Sequence, residues 1–126
     1  MLEITKGLWA GTIHSFFGEL PDSNHPLMVK YRAWHQKYEP GERWGVFYWA
    51  GMAFAEPLAE GLRRAGKNVT PESFIKAMET LKDWRGTGVP LTFTSADHQG
   101  AKHVYLVQVQ PDGTFKKLTD WFRITK

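Results

Sequence analysis

The sequence predicts an α/β fold of about three helices with short strands, and three observations predict it. Apolar residues recur at three- and four-residue spacing through the first two-thirds of the chain, with cap signals at the ends of the runs. Val104, Leu106 and Gln108 then alternate with Tyr105, Val107 and Val109, the two-residue period of a strand. A Pro111-Asp112-Gly113 turn leads from that strand into Thr114-Phe115-Lys116-Lys117-Leu118, as in a hairpin.

In chain order, Lys6 to Phe17 mixes glycines with apolar and β-branched residues, which suits a strand ending in a loop near another backbone. Pro21 to Pro26 is dense in turn formers and reads as a loop. Leu27, Tyr31, Trp34 and Tyr38 mark the apolar face of a first helix, which Glu39-Pro40-Gly41 stops. A second helix is expected to begin near Glu42 to Val46 and to run to Arg64, with Val46, Trp49, Ala50, Ala53, Leu58 and Leu62 on one broad face. Gly66 can take the left-handed conformation that closes it, and Arg63 and Arg64 sit where the macrodipole favours cations. Pro57 lacks an amide hydrogen and is expected to kink or divide this helix.

Thr70-Pro71-Glu72 is a compact helix start: a hydroxyl cap, Pro at the first helical position and a carboxylate in the first turn. Phe74, Ile75, Met78 and Leu81 mark that helix's expected buried face. Val89 to Thr94 is expected to be a short strand that Pro90 confines to an edge or a strand start. The strand around Val104 to Val109 carries apolar residues on both faces and is expected to be well covered.

At 126 residues and 14.5 kDa the chain has the size of one domain. A net charge of +3 is spread thinly, the longest basic runs being Arg63-Arg64 and Lys116-Lys117. Nucleic-acid binding usually needs a concentrated basic stripe, and none is present. Without cysteine there can be no disulfide, thiolate metal site or cysteine nucleophile. No stretch approaches the roughly 18 apolar residues of a membrane span, and the first residues lack the apolar core of a signal peptide.

Five histidines, His14, His25, His35, His98 and His103, invite a metal reading. None of them has the i, i+4 helical spacing of a zinc-protease motif, and no metal site is expected. Ser95, Asp97 and His98 could be drawn as a triad fragment, but sequence neighbours rarely face one another correctly and no Gly-x-Ser-x-Gly elbow is present. Asp97 and His98 are expected to hydrogen-bond the turn before a strand instead. Gly86-Thr87-Gly88 precedes a strand, whereas a dinucleotide fingerprint follows one. No cofactor is expected.

The order of the pieces carries a resemblance. Gly7 to Ile13, Leu58-Ala-Glu-Gly-Leu-Arg-Arg-Ala-Gly66, Thr70-Pro-Glu72, Gly88-Val-Pro-Leu-Thr-Phe93, Asp97-His-Gln-Gly100 and Pro111-Asp-Gly113 follow one another as they do in the C-terminal part of periplasmic branched-chain amino-acid-binding proteins. In words, the chain resembles the C-terminal region of a leucine/isoleucine/valine-binding-like substrate-binding protein of an ABC importer. The resemblance covers nearly the whole chain. It departs at Pro57, where family members carry ordinary helix formers, and in length, since they run to about three times this size.

The resemblance implies a partial type I periplasmic-binding-protein fold, the C-terminal segment of a two-lobed protein: a crossover strand and loop over 1–20, a helical part over 21–85 and returning strands over 86–126. It implies a branched-chain amino acid or related small amide as ligand in the full-length parent, hinge closure around it, a membrane permease as partner, a periplasmic parent and no enzymatic activity. It also implies that Phe47, and more weakly Trp49, pack on the ligand's apolar side chain. A segment cut from such a fold exposes apolar faces, so self-association by segment exchange between copies is expected. The alternative is a stand-alone protein-interaction module using an aromatic surface of Trp34, Trp44 and Trp49.

Overall fold

The computed structural model describes residues 11–124, and they form three helices and four short strands. The strands are β1 (Ile13–Phe16), β2 (His103–Val109), β3 (Phe115–Lys117) and β4 (Phe122–Arg123); the helices are α1 (Pro26–Tyr38), α2 (Val46–Ala65) and α3 (Pro71–Met78). This is the α/β class that the sequence predicts. The portion of the expected N-terminal strand before Gly11 lies outside the described residues. The chain divides into two compact units, one made of residues 11–17 and 103–124 and the other of Gly18–Lys102.

The first unit is an antiparallel sheet built around β2. Ile13 to Phe16 lie opposite Gln108 to Tyr105, Lys117 lies opposite Val107, and Phe122 and Arg123 lie opposite Val104 and His103. The alternation in β2 buries Tyr105 and Val107 on one face and leaves Val104 and Leu106 half-buried on the other. Phe16 packs on Tyr105 and Phe115 with ring centres 5.8 and 5.5 Å apart, and Trp121 meets Tyr105 edge-on at 4.8 Å. The hairpin forms at the Pro-Asp-Gly turn. Gly113 adopts a positive φ of 83°, and Asp112 Oδ1 accepts hydrogen bonds from the Thr114 amide and hydroxyl.

The second unit holds the three helices. α1 is capped by His25, whose Nδ1 accepts from the Leu27 amide, with Pro26 at its first position. Its buried face is Met28, Tyr31 and His35, whereas Trp34 and Tyr38 lie exposed under the ammonium groups of Lys30 and Lys37. Of the expected face of Leu27, Tyr31, Trp34 and Tyr38, Tyr31 is buried as expected, and Trp34 and Tyr38 are the corrections. Large aromatics advertise burial, but a ring that offers one surface to a lysine can stay at the water boundary.

α2 runs unbroken through Pro57, so the expected division does not occur. It closes at Gly66 with φ 82°, as the sequence predicts. Its buried residues are Trp49, Ala50, Ala53 and Gly61, while Leu58 and Leu62 of the expected face are 51% and 44% exposed. The buried stripe is therefore small apart from one tryptophan. A Cβ on Gly61 would stand 2.4 Å from the Met78 sulfur and 2.9 Å from the Phe74 ring, so α3 approaches α2 at a position without a side chain. α3 starts with a reciprocal cap, Thr70 Oγ1 accepting from the Ser73 amide at 3.1 Å and Ser73 Oγ from the Thr70 amide at 2.9 Å. Ala77 is its buried residue, and Ile75 is 47% exposed where burial was expected.

The expected strand over 89–94 is absent as a strand. Its residues make single bridges, Trp84 with Leu91, Leu91 with Ala101 and Thr94 with Asp97. Pro90 has no amide hydrogen to donate, and the three amides after it each find a different short segment: Leu91 pairs with Trp84, Thr92 with Gly100 and Phe93 with Leu81.

One carboxylate ties these pieces together. Glu56 of α2 accepts from the Tyr31 hydroxyl at 2.7 Å, from the Thr87 hydroxyl at 2.8 Å and from the Thr87 amide at 2.7 Å. Burial pushes the Tyr31 hydroxyl well above the ordinary tyrosine pKa of 10, and the hydrogen bond to Glu56 and its negative charge add to the shift. A Cβ on Gly86 would lie 1.9 Å from Glu56 Oε2, so the loop reaches the carboxylate only with glycine there. Gly18 makes a second close approach. Its missing Cβ would sit 2.3 Å from the Trp49 ring and 2.7 Å from the Thr87 carbonyl, and the Glu19 amide donates to that carbonyl at 2.7 Å.

These contacts set three expectations. Glu56→Ala strands the buried Thr87 donors and is expected to cost about 3 kcal/mol, with Tyr31→Phe costing about 1 kcal/mol; chemical denaturation measures both. Gly18→Ala, forced against a ring and a backbone carbonyl, is expected to destabilise by about 3 kcal/mol in the same assay. Third, hydrogen bonds from Arg63 and then Arg64 hold the Glu60 carboxyl down from 4.5 to about 2. A depressed folded-state pKa adds stability above the unfolded value that is lost as pH falls through the folded one. The Glu60 contribution should thus be complete above pH 4.5 and fade towards pH 2, with carboxyl NMR giving a midpoint near 2.

Candidate functional site

The candidate site is the first turn of α2, where the two residues singled out for ligand contact sit in opposite environments. Phe47 is 95% exposed, its ring standing in solvent. Trp49, two positions on, is completely buried, against Gly18. A two-residue step on a helix turns a side chain by about 200°, so one faces out when the other faces in.

The residues flanking Phe47 are anchored. Trp44 Nε1 donates to the Pro21 carbonyl at 2.9 Å. Tyr48 stands edge-on to the buried His35 ring at 4.5 Å and tilts against Trp44 at 5.8 Å. Arg32 Nη1 donates to the Pro21 and Ser23 carbonyls, and the Ser23 hydroxyl donates to Glu19, which is also paired with Arg85 at 2.8 Å. The loop before α1, the loop before α2 and the residues before Thr87 thus form one cross-linked frame. Gly45 caps α2 without a side-chain hydrogen bond, leaving the first amides of the helix open beside Phe47. Such an edge can offer an aromatic face and backbone donors to a small ligand.

The tryptophans of the alternative aromatic surface do not make one surface: Trp49 is buried, Trp44 is half-buried and tied to Pro21, and Trp34 is exposed with Lys30 over its ring at 4.6 Å.

Asp97 hydrogen-bonds the turn as expected, whereas the His98 ring turns away from it to Glu79. Asp97 accepts from the Gln99 amide at 2.8 Å and from Lys102 Nζ, and the Lys102 hydrogen bond leads the causes that lower its pKa. His98 Nε2 lies 3.0 Å from Glu79 Oε1, turned to a different carboxylate from its sequence neighbour. Ile75, Met78, Phe93 and His98 line a shallow apolar depression of about 200 Å³. Among the described residues no three His, Asp or Glu side chains gather as metal ligands, and no helix is long and apolar enough to cross a membrane.

Sequence reasoning passed over Glu56 and its partners. A signal was present, since Glu56 is the one charged residue between Val46 and Ala59, and a lone carboxylate in an apolar run asks for a buried partner. Tyr31 and Thr87, 25 and 31 positions away, could not be paired with it by spacing.

The family model described as periplasmic binding protein matches residues 5–114. No curated protein matches the chain. Among solved structures, a possible leucine/isoleucine/valine-binding protein from Rhodopirellula baltica is 25% identical, with a TM-score of 0.72 over 89% of this chain and 30% of that one. A branched chain amino acid ABC transporter protein from Thermus thermophilus, solved with bound valine, is 20% identical, with a TM-score of 0.80 over 98% of this chain and 36% of the other. A substrate-binding periplasmic protein from Ralstonia solanacearum is 23% identical, with a TM-score of 0.75 over 90% and 33%. The chain spans about a third of the length of each. Three helices with short antiparallel strands thus form part of a type I periplasmic binding fold, and the chain belongs to the periplasmic binding protein family.

Proposed function

We propose that this chain is the C-terminal region of an ABC-importer substrate-binding protein for branched-chain amino acids or related small amides, without enzymatic activity. The observation that carries the reading is the family match over residues 5–114 combined with the exposed ring of Phe47. Hinge closure in the full-length parent captures the ligand, and the closed form docks on a membrane permease in the periplasm. The chain passes from one compact unit to the other after Phe17 and returns after Lys102, and paired connections of this kind suit a hinge.

Phe47 supplies apolar area for a branched side chain and an aromatic face for an ammonium group, worth about 0.5–2 kcal/mol. Trp49 supports it from below by holding the first turns of α2 against Gly18. One wall of a cleft binds poorly, because most of the ligand's polar groups go unmatched. Titration calorimetry of this chain with leucine, valine and short amides is therefore expected to give no sub-micromolar binding, and such binding would sink the half-site reading. In a full-length protein carrying this region, Phe47→Ala is expected to weaken ligand binding roughly tenfold with little change in melting temperature.

A further inference from the structure

The outer face of α2 carries an unbroken apolar stripe: Phe47, Gly51, Phe54, Leu58 and Leu62. The four side chains are 95%, 68%, 51% and 44% exposed. The spacing of four, three, four and four residues keeps the stripe on one side of the helix, as in the seam of a two-helix pair. No charge interrupts it. Arg63 and Arg64 at its end are both drawn to Glu60.

We infer that this stripe is the contact surface for a second copy of the chain, the two α2 helices packing antiparallel about a two-fold axis beside Phe54. That arrangement is self-complementary. Phe47 of one copy meets Leu62 of the other, Gly51 meets Leu58, and Phe54 meets Phe54 and Ala55 across the axis. Gly51 is the notch: a Cβ built there touches nothing within 4 Å, so Leu58 of the facing helix can seat between Phe47 and Phe54. The stripe holds on the order of 500 Å² per copy, so pairing removes roughly 1,000 Å² in total, the lower bound for a specific interface. An isologous contact of this kind closes on itself and stops at a dimer.

Sedimentation velocity on the 126-residue chain from about 5 to about 500 μM covers the range where an interface of that size dissociates, and a monomer–dimer equilibrium is expected. Phe54→Asp places two carboxylates at the axis and should weaken the dimer roughly 100-fold. Gly51→Leu separates this packing from general stickiness. Filling the notch should weaken the dimer roughly tenfold while raising helix propensity, whereas non-specific adhesion would strengthen when a leucine is added. Circular dichroism checks that both variants keep their helices. A monomer throughout, association strengthened by Gly51→Leu, or a dimer indifferent to both substitutions overturns the inference; the last result would point to segment exchange. Because the pairing covers Phe47, the ligand reading is tested apart from it, by Phe47→Ala in a full-length protein carrying this region.

Discussion

The helical unit depends on a carboxylate that must not be left alone. Glu56 sits midway along α2, and its two oxygens receive the hydroxyl of Tyr31 from α1 and both donors of Thr87 from the loop before Val89. An unpaired carboxylate in that position would be costly, so the three segments hold one another in register. Trp49 fills the space beside this network, and Gly18 lets the chain pass over it. Polar satisfaction thus fixes which segments meet, and the tryptophan supplies the buried apolar area.

Local features of the sequence were legible because their causes are local. Thr70 and Ser73 cap α3 reciprocally, Gly66 closes α2 at positive φ, and the Pro-Asp-Gly turn joins β2 to β3. Each depends on atoms a few residues apart. The faces of the helices were less legible, because periodicity reveals a stripe and leaves open what covers it. On α2 two apolar stripes coexist. The one with small residues, Ala50, Ala53 and Gly61, is buried, since only it admits the close approach of neighbouring segments. Phe54, Leu58 and Leu62 look more like core by hydrophobicity and face outward. Val89 to Thr94 failed as a strand for a related reason: its composition was right, but no single neighbour runs beside it for more than one bridge.

The family motifs acquire physical meanings from the same contacts. The small residue in Leu58-Ala-Glu-Gly61-Leu62 is where α3 touches α2, with Met78 and Phe74 occupying the space of the missing side chain. The glycine closing Asp97-His-Gln-Gly100 lies under the Phe93 ring, where a Cβ would be 2.6 Å from it. In this chain the glycines of those motifs thus mark close approaches of one segment to another. Side chains that fill space can be exchanged for others of similar volume, while a position with no room for a Cβ admits few alternatives.

The exposure of Phe47 and of the α2 stripe follows from one arrangement of the helix. With Trp49 and Ala53 facing inward, Phe47 and Leu58 fall on the opposite side of the helix, while Gly61, seven positions after Phe54, lies near Phe54's side and is covered there by Phe74 and Met78. In a protein about three times as long, further segments can take up such a surface. A branched ligand of a few methyl groups can cover part of Phe47 and little else. The stripe beyond it, extending about three turns from Gly51 to Leu62, is too long for a small molecule and suits a second helix.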